Sequence, residues 1–427
     1  DRLLAQCEPN SVCIIPAAGI VTRSRDTDYL FRQDSNFWYL TGFEEPNAWL
    51  ILSNHPRYGE RYRAMVVAAK DKSAEIWSGK RLGAEAALSR FSLDEAFELQ
   101  ELEDALLESL QGHQSVYFAL GQNRTNDALF KEAMSILQDA PKESLAPVSV
   151  HDFRPILHEM RLFKSACEVA VMKAAGEISA RAHKRAMQYA TPGCFEYQLE
   201  AEIHHEFAMA GARSPAYSTI VGSGENACIL HYTQNAAEIK DGDLILIDAG
   251  AEYQGYAADI TRTFPANGKF SQPQRDIYSV VLKAQQSVLA MLGPGVTLSE
   301  AMLHSAEVIT EGLVNLGILQ GSVAENLEQE TWRDYYMHGL GHYLGLDVHD
   351  VGNYKIEGED RRLKPSMVIT VEPGIYISED SDVPEQYKGI GVRIEDDVVI
   401  TATGIEILTA DVPKDIEEIE ALMASSR

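Results

Sequence analysis

At 427 residues the chain is too long for one hydrophobic core, so two domains are the first expectation. Apolar residues make up 45% and charged residues 24%, a globular balance that argues against extensive disorder, and no run of about 18 apolar residues is present to span a membrane. A net charge of −27 repels phosphate backbones and anionic lipid, which sets nucleic acid and membrane surfaces aside as partners. Residues 1–7 lack the charged-then-apolar grammar of a signal peptide. The five cysteines (7, 13, 167, 194 and 228) are odd in number and show no C-x-x-C spacing. They read as reduced thiols, mostly small core residues, of a cytoplasmic protein.

Along the first 150 residues, strand-like and helix-like stretches alternate. Residues 11–17, 49–53, 62–69 and 115–120 are rich in β-branched and aromatic side chains. Residues 93–110 carry apolar positions at helical spacing and predict a helix. The expectation is a small α/β domain over residues 1–160, followed by a second domain over 161–427. Ser165, with Glu168 three positions later, is a capping-box start for a helix running to about 188. Thr191-Pro192-Gly193 stops it, residues 197–210 predict a second helix, and strands are expected at 216–221, 244–249 and 256–264. The order then repeats. Residues 272–291 are helical, Gly293-Pro294-Gly295 breaks them, 298–316 are helical again, and strands follow at 367–377 and 392–400. Gly222-Ser223-Gly224 lacks the context of a nucleotide fingerprint and reads as a turn. Two similar halves predict a pseudo-symmetric α+β domain with a site where the halves meet.

Four carboxylates stand where strands should be apolar. Asp248 follows Leu244-Ile245-Leu246-Ile247, and Glu372 follows Val368-Ile369-Thr370-Val371. A carboxylate ending a buried strand costs several kcal/mol unless it is paired or bound to a metal. Asp259 and Glu395 are expected in the next strand of each half. Any one of these acids taken alone is best explained by an ion pair with Arg262 or Arg393. All four in matched positions point instead to cations that neutralise them. His342 adds a nitrogen donor, from the histidine-rich stretch that also holds His338 and His349. The His338/His342 spacing resembles that of zincins, but Gly339 and Gly341 disfavour a helix there and the glutamate base is missing. His204 and His205 read as exposed helix residues. Four oxygen ligands and one nitrogen favour Mn²⁺, with Co²⁺, Fe²⁺ or Zn²⁺ as alternatives, and two ions about 3.5 Å apart would share bridging carboxylates.

These motifs resemble those of the pita-bread metallopeptidases. The carrying segments are Leu246-Ile247-Asp248-Ala249-Gly250, Ala258-Asp259-Ile260-Thr261-Arg262, Met337-His338-Gly339, Val371-Glu372-Pro373-Gly374 and Gly391-Val392-Arg393-Ile394-Glu395. Within that superfamily the chain resembles the bacterial Xaa-Pro aminopeptidases (aminopeptidase P). The leading-domain motifs Arg32-Gln33-Asp34-Ser35-Asn36-Phe37-Trp38-Tyr39, Ala74-Glu75-Ile76-Trp77 and Val150-His151-Asp152-Phe153 carry that part of the likeness.

The resemblance implies a pita-bread catalytic domain, two divalent metal ions, and cleavage between an N-terminal residue and a penultimate proline. It implies that Asp248 and Asp259 bind one ion and that His342 and Glu372 complete the other, with Asp259 and Glu395 bridging. Glu372 would also be the general base. His231 and His349 would steady the scissile amide and its oxyanion, His338 would line the proline pocket, and Arg393 would pair with nearby acids and hold Glu395. The leading domain would assemble a dimer or tetramer, where a neighbour's aromatic such as Trp77 caps the site. Asp26 is a candidate for the substrate's α-amine, against an equal reading as a plain loop residue. Two rival functions remain: an Xaa-Pro dipeptidase (prolidase), which shares the metal motifs, and a non-catalytic binding module on the same fold, which would be expected to have lost ligands. A methionine aminopeptidase is disfavoured by the long leading domain.

Overall fold

The computed structural model of the chain describes residues 1–427 apart from 60, 141, 143, 144, 426 and 427. It divides into two compact units, Asp1–Met160 and Arg161–Arg427.

The first unit is built on a six-stranded mixed sheet. Its strands are β1 (Ser11–Pro16), β2 (Trp49–Ser53), β3 (Tyr62–Val67), β4 (Glu95–Glu98), β5 (Ser115–Tyr117) and β6 (Ser149–His151), in the order β4-β3-β2-β1-β5-β6. β1, β2 and β3 pair antiparallel, while β4, β5 and β6 join in parallel. Strand periodicity sorts the apolar side chains onto two faces. Val12, Ile14, Trp49 and Ile51 enter one core, and Cys13, Ile15, Leu50 and Leu52 enter the other. The sheet is therefore covered on both sides, which explains why β1 and β2 read as continuous apolar runs.

Residues 93–110, expected as one helix, divide into β4, a 3₁₀ turn (Leu99–Glu101) and a helix (Leu102–Leu110). Phe97 packs on the core while the backbone of β4 pairs with β3, so tertiary pairing overrides the helical spacing. Glu95 and Glu98 suit this edge position, where charge discourages further strand addition.

The second unit follows the predicted order of helix pairs and strands. Ala166–Tyr189 starts at Ser165, whose Oγ accepts from Glu168 N at 3.3 Å while Ser165 N donates to Glu168 Oε2 at 2.7 Å. Glu196–Met209 packs against it, and Gln272–Met291 with Leu298–Asn315 forms the second pair. In the first half, β7 (Ile220–Ser223), β8 (Leu244–Asp248) and β9 (Thr261–Pro265) form an antiparallel sheet. In the second half β10 (Val368–Val371), the hairpin strands β11 (Gly374–Ile377) and β12 (Ile390–Arg393), then β13 (Asp396–Ile400) and β14 (Ile405–Ile407) follow. Gly222 and Ser223 end β7, and Gly224 opens a 3₁₀ turn to Cys228, so this segment is more ordered than the expected turn.

The predicted long strands 256–264, 367–377 and 392–400 are each interrupted, and the interruptions matter. After β8 the chain makes a small hairpin (Ala251–Tyr253 with Tyr256–Ala257) before returning as β9. After β10 it makes the longer hairpin β11–β12 before returning as β13. Asp259 and Glu395 therefore sit in the irregular links between hairpin and returning strand, not within strands as expected. A regular strand would aim alternate side chains at opposite faces, whereas a break re-aims one carboxylate into the site. The different hairpin lengths explain why the acid spacing is 11 in one half and 23 in the other.

A buried ion pair fastens β13 to β9. Arg262 donates to Asp396 Oδ1 (2.7 Å) and to the carbonyls of Thr261, Glu395, Val412 and Pro413. Lys414 reaches Asp396 Oδ2 at 2.6 Å. Burial alone would push the Asp396 carboxyl up, but the Arg262 and Lys414 cations hold it at about 2. Its contribution to stability is present above the ordinary value of 3.8 and is lost as the pH falls through about 2. Arg262→Leu is expected to cost the unit roughly 3–5 kcal/mol, because it strands buried acceptors and half-neutralises Asp396. Urea unfolding of the metal-free variant and parent measures this; an unchanged midpoint would refute it.

Candidate metal centre

Asp248 is the last residue of β8 and Glu372 directly follows β10, so both strands end in a carboxylate at matching points. Gly250 lets the backbone after Asp248 lie against the link carrying Asp259, since a Cβ on it would fall 1.6 Å from Ala258 O. Gly341 does the same beside His342, where a Cβ would fall 2.1 Å from Thr370 O. Two backbone bonds then fix the histidine segment to β10: Thr370 N donates to His342 O (2.9 Å) and Glu372 N to Leu340 O (2.8 Å).

All five predicted ligands line one cavity of about 300 Å³, together with His231, His338, His349 and Arg393. Within it Asp259, His342 and Glu395 each offer a ligand atom, and these atoms lie within 4.8 Å of one another. Asp248 and Glu372 line the same cavity outside that tightest triplet. His342 Nε2 stands 3.5 Å from Asp259 Oδ2 and 3.6 Å from Glu372 Oε1. Its Nδ1 lies 2.9 Å from Tyr343 O, a bond that makes Nδ1 the protonated nitrogen and leaves Nε2 to face the acids. His231 and His349 are exposed, His338 is half-buried, and the His349 ring packs edge-on against His342.

Without a cation these groups are in conflict. Burial, then the neighbouring acids, push Glu395 well above the carboxylate range, and burial with Asp248 raises Asp259. Burial raises Glu372 to about 7. For His342 burial works downward, but the bond and charge of Asp259, with Glu372, outweigh it and raise the ring to about 9. Four acids and one imidazole gathered in a small buried cavity are the donor set of a hard or borderline divalent ion, so the residues fit such a group.

Several supporting residues escaped the sequence reading. Tyr217 Oη bridges Asp248 Oδ1 (2.6 Å) and Asp259 Oδ1 (2.5 Å). Thr261 Oγ1 donates to Glu395 Oε2 at 2.6 Å, and Thr370 Oγ1 to Glu372 Oε1 at 3.3 Å. Tyr376 Oη lies 2.7 Å from His338 Nε2 and 3.0 Å from Arg393 Nη1. Arg393 Nη2 binds Asp248 Oδ2 at 2.7 Å, and its Nε donates to Thr261 Oγ1 (3.1 Å), the hydroxyl that in turn donates to Glu395. Arg262 pairs with Asp396 and with none of the four acids. Next to His349 in the chain, Asp350 is clamped between Arg161 Nη2 (2.5 Å) and Lys164 Nζ (2.9 Å), all three side chains almost wholly buried.

His204, read as exposed, is half-buried with Nε2 2.9 Å from Thr219 Oγ1; His205 is exposed. In the first unit, Asp26 is exposed between the short paired strands Thr22–Ser24 and Thr27–Asp28. Trp77, on the helix Lys72–Ser78, is 91% exposed.

The chain matches two family models: metallopeptidase family M24 over residues 170–402, and the aminopeptidase P N-terminal domain over residues 1–117. It is 52% identical to the Xaa-Pro aminopeptidase of Escherichia coli K12 over 430 residues, covering 100% of this chain and 97% of that protein. It is 34% identical to the human Xaa-Pro dipeptidase over 436 residues, covering 93% of this chain and 85% of that one. Among solved structures, zinc-substituted E. coli aminopeptidase P in complex with product superposes with a TM-score of 0.97 at 51% identity, covering 100% of this chain and 96% of the other.

Proposed function

This chain belongs to metallopeptidase family M24, and on that footing we propose that it is a metal-dependent Xaa-Pro aminopeptidase whose two divalent ions are held by Asp248, Asp259, His342, Glu372 and Glu395. The observation that carries the reading is the convergence of four carboxylates and one imidazole in a single cavity. The higher identity to an aminopeptidase than to a dipeptidase favours release of one residue from longer peptides.

In this reading Asp248, Asp259 and Glu395 would hold one ion, and His342 and Glu372, together with Asp259 and Glu395, would hold the other. Mn²⁺ is the preferred metal, on the strength of the oxygen-rich donor set, with Co²⁺, Fe²⁺ or Zn²⁺ as alternatives. Bound divalent ions would polarise the scissile carbonyl and make a water nucleophilic near neutral pH. The chain's own groups do the rest. Glu372 accepts the proton of the attacking water and delivers it to the leaving proline nitrogen. His231 and His349, exposed on the cavity lining, donate to the carbonyl oxygen as it gains charge. His338 is kept neutral, pushed down to about 4 by burial and by Arg393. A neutral ring against Tyr376 suits a wall for an apolar pyrrolidine. An Xaa-Pro bond has no amide N–H, so recognition rests on this wall and on the carbonyl. Arg393 holds Asp248 and Tyr376 in place.

The same reading places the protein in the cytoplasm, which its five free cysteines support. No helix among the described residues is long and apolar enough to cross a membrane. It also makes the chain a homo-oligomer, a dimer or tetramer assembled through the first unit, where Ile76 (80% exposed) and Trp77 supply uncovered apolar surface. Trp77 or Asp26 would then serve a neighbour's site.

The deciding assay compares Xaa-Pro, Xaa-Pro-Yaa and Xaa-Ala-Yaa with Mn²⁺-loaded protein. Release of Xaa from the proline tripeptide is expected to exceed that from the other two by at least about tenfold in kcat/KM, a difference of about 1.4 kcal/mol. Cleavage confined to the dipeptide would make the protein a prolidase, and no cleavage at all would revive a binding role.

A further inference from the structure

Outside the metal centre, the described residues bring two thiols into contact. Cys7 Sγ lies 3.4 Å from Cys13 Sγ and 3.4 Å from Leu3 O. Cys13 sits in β1, fully buried, paired with Leu52 of β2 on one side and Tyr117 of β5 on the other. Cys7 is half-buried and caps the short 3₁₀ turn Leu4–Gln6. The connection between them turns at Asn10, whose φ is +60°. One thiol is thus fixed in a sheet and screened, and the other is partly open to solvent on an irregular segment.

We propose that Cys7 and Cys13 are a reversible two-electron modification site of the first unit, closed to a disulfide by hydrogen peroxide and reopened by dithiols. The sulfurs need to approach by about 1.4 Å to reach disulfide length, and the irregular 7–10 segment supplies that movement while β1 stays in register. The hydrogen bond between the thiols favours the Cys7 thiolate and, with burial, pushes the Cys13 thiol well up, which sets the order of events. The Cys7 thiolate attacks one peroxide oxygen; an S–O bond forms, the O–O bond breaks, and hydroxide leaves to be protonated. The Cys13 sulfur then attacks the Cys7 sulfenic acid; an S–S bond forms, the S–O bond breaks, and water leaves with the Cys13 proton. Two thiols and one peroxide give one disulfide and two waters.

The other cysteines are built differently. Cys167 is exposed with no thiol partner among the described residues, and Cys194 is buried. Cys228, bonded to Ile377 O, is pushed up to about 12 by burial.

The test treats the full chain with hydrogen peroxide at a few equivalents, then denatures and alkylates it. Peptide mass mapping should find Cys7 and Cys13 joined, 2 Da lighter than the dithiol, with alkylatable thiols falling from five to three and returning to five after a dithiol. Cys7→Ser, a conservative change at a half-buried position, should leave Cys13 alkylatable after the same treatment. Over-oxidation of Cys7 to sulfinic acid with Cys13 still alkylatable, or two intact thiols while Cys167 alone reacts, would overturn the proposal. The wild-type mapping stands even if the variant folds poorly.

Discussion

Asp259→Ala should lower kcat/KM for an Xaa-Pro-Yaa peptide by about 10³-fold or more, roughly 4 kcal/mol of transition-state stabilisation, and should strip the protein of metal at the same time. Asp259 is where the site's contacts meet. One carboxylate oxygen receives Tyr217 Oη and the other faces His342 Nε2 at 3.5 Å. Its ligand atom belongs to the tight triplet with His342 and Glu395, and its backbone N–H is held by Asp397 Oδ2 at 3.0 Å. Removing it would take one carboxylate from the proposed ligand set and would release Tyr217 from its second partner. Asp259→Asn keeps the shape and one acceptor but loses the charge, so it should fall nearly as far. Elemental analysis beside the kinetic assay separates metal loss from misfolding. Full activity with full metal content in Asp259→Ala would contradict the ligand assignment.

The second large effect concerns the metal-free protein. Asp259, Glu372 and Glu395 hold protons more tightly in the folded chain than in the unfolded one. For such acids the stabilisation is complete below the ordinary carboxylate range and is lost as the pH rises through the folded value, about 7 for Glu372. His342 has the same sign. Its contribution is complete below the ordinary 6.5 and fades as the pH passes about 9. Stripped protein should therefore lose stability between pH 5.5 and 9, by about 2 kcal/mol from Glu372 alone, the first part of its loss having fallen between pH 4.5 and 5.5. In melting temperature this is roughly 4–8 °C for a unit of this size. Divalent ions bind the deprotonated acids, so saturating Mn²⁺ should close or reverse the gap. Thermal melts at the two pH values, with and without metal, check this. A stripped protein whose melting temperature is flat or rises across that range would contradict it.

Both effects depend on geometry that the sequence showed only in part. Ser165 and Glu168 announce the first catalytic-unit helix because a capping box is a local device, complete within four residues. The strand-ending acids Asp248 and Glu372 stand out because a charge after four apolar residues conflicts with burial. The positions of Asp259 and Glu395 were less legible. Uninterrupted apolar spacing hid the hairpins on which each chain segment turns back, and only the strand register shows that the two acids sit in breaks. Tyr217, Thr261 and Tyr376 gave no signal, since a tyrosine or threonine near a strand is ordinary core composition until its hydroxyl has a partner. The Asp350 clamp is harder still, because Arg161 and Lys164 lie far away in the chain. In the first unit, β4 carries helical apolar spacing yet forms a strand, because its pairing with β3 is a non-local choice that the acidic segment does not encode.

If two divalent ions in this cavity cleave Xaa-Pro bonds, titrating metal back into the stripped protein restores activity in step with loading. Xaa release from an Xaa-Pro-Yaa tripeptide is followed as Mn²⁺ is added, with bound metal counted in the same samples. Activity should be absent at the start, appear with added ion, and level off at about two equivalents per chain. Activity that survives complete stripping, or full loading with no release of Xaa, would contradict the account.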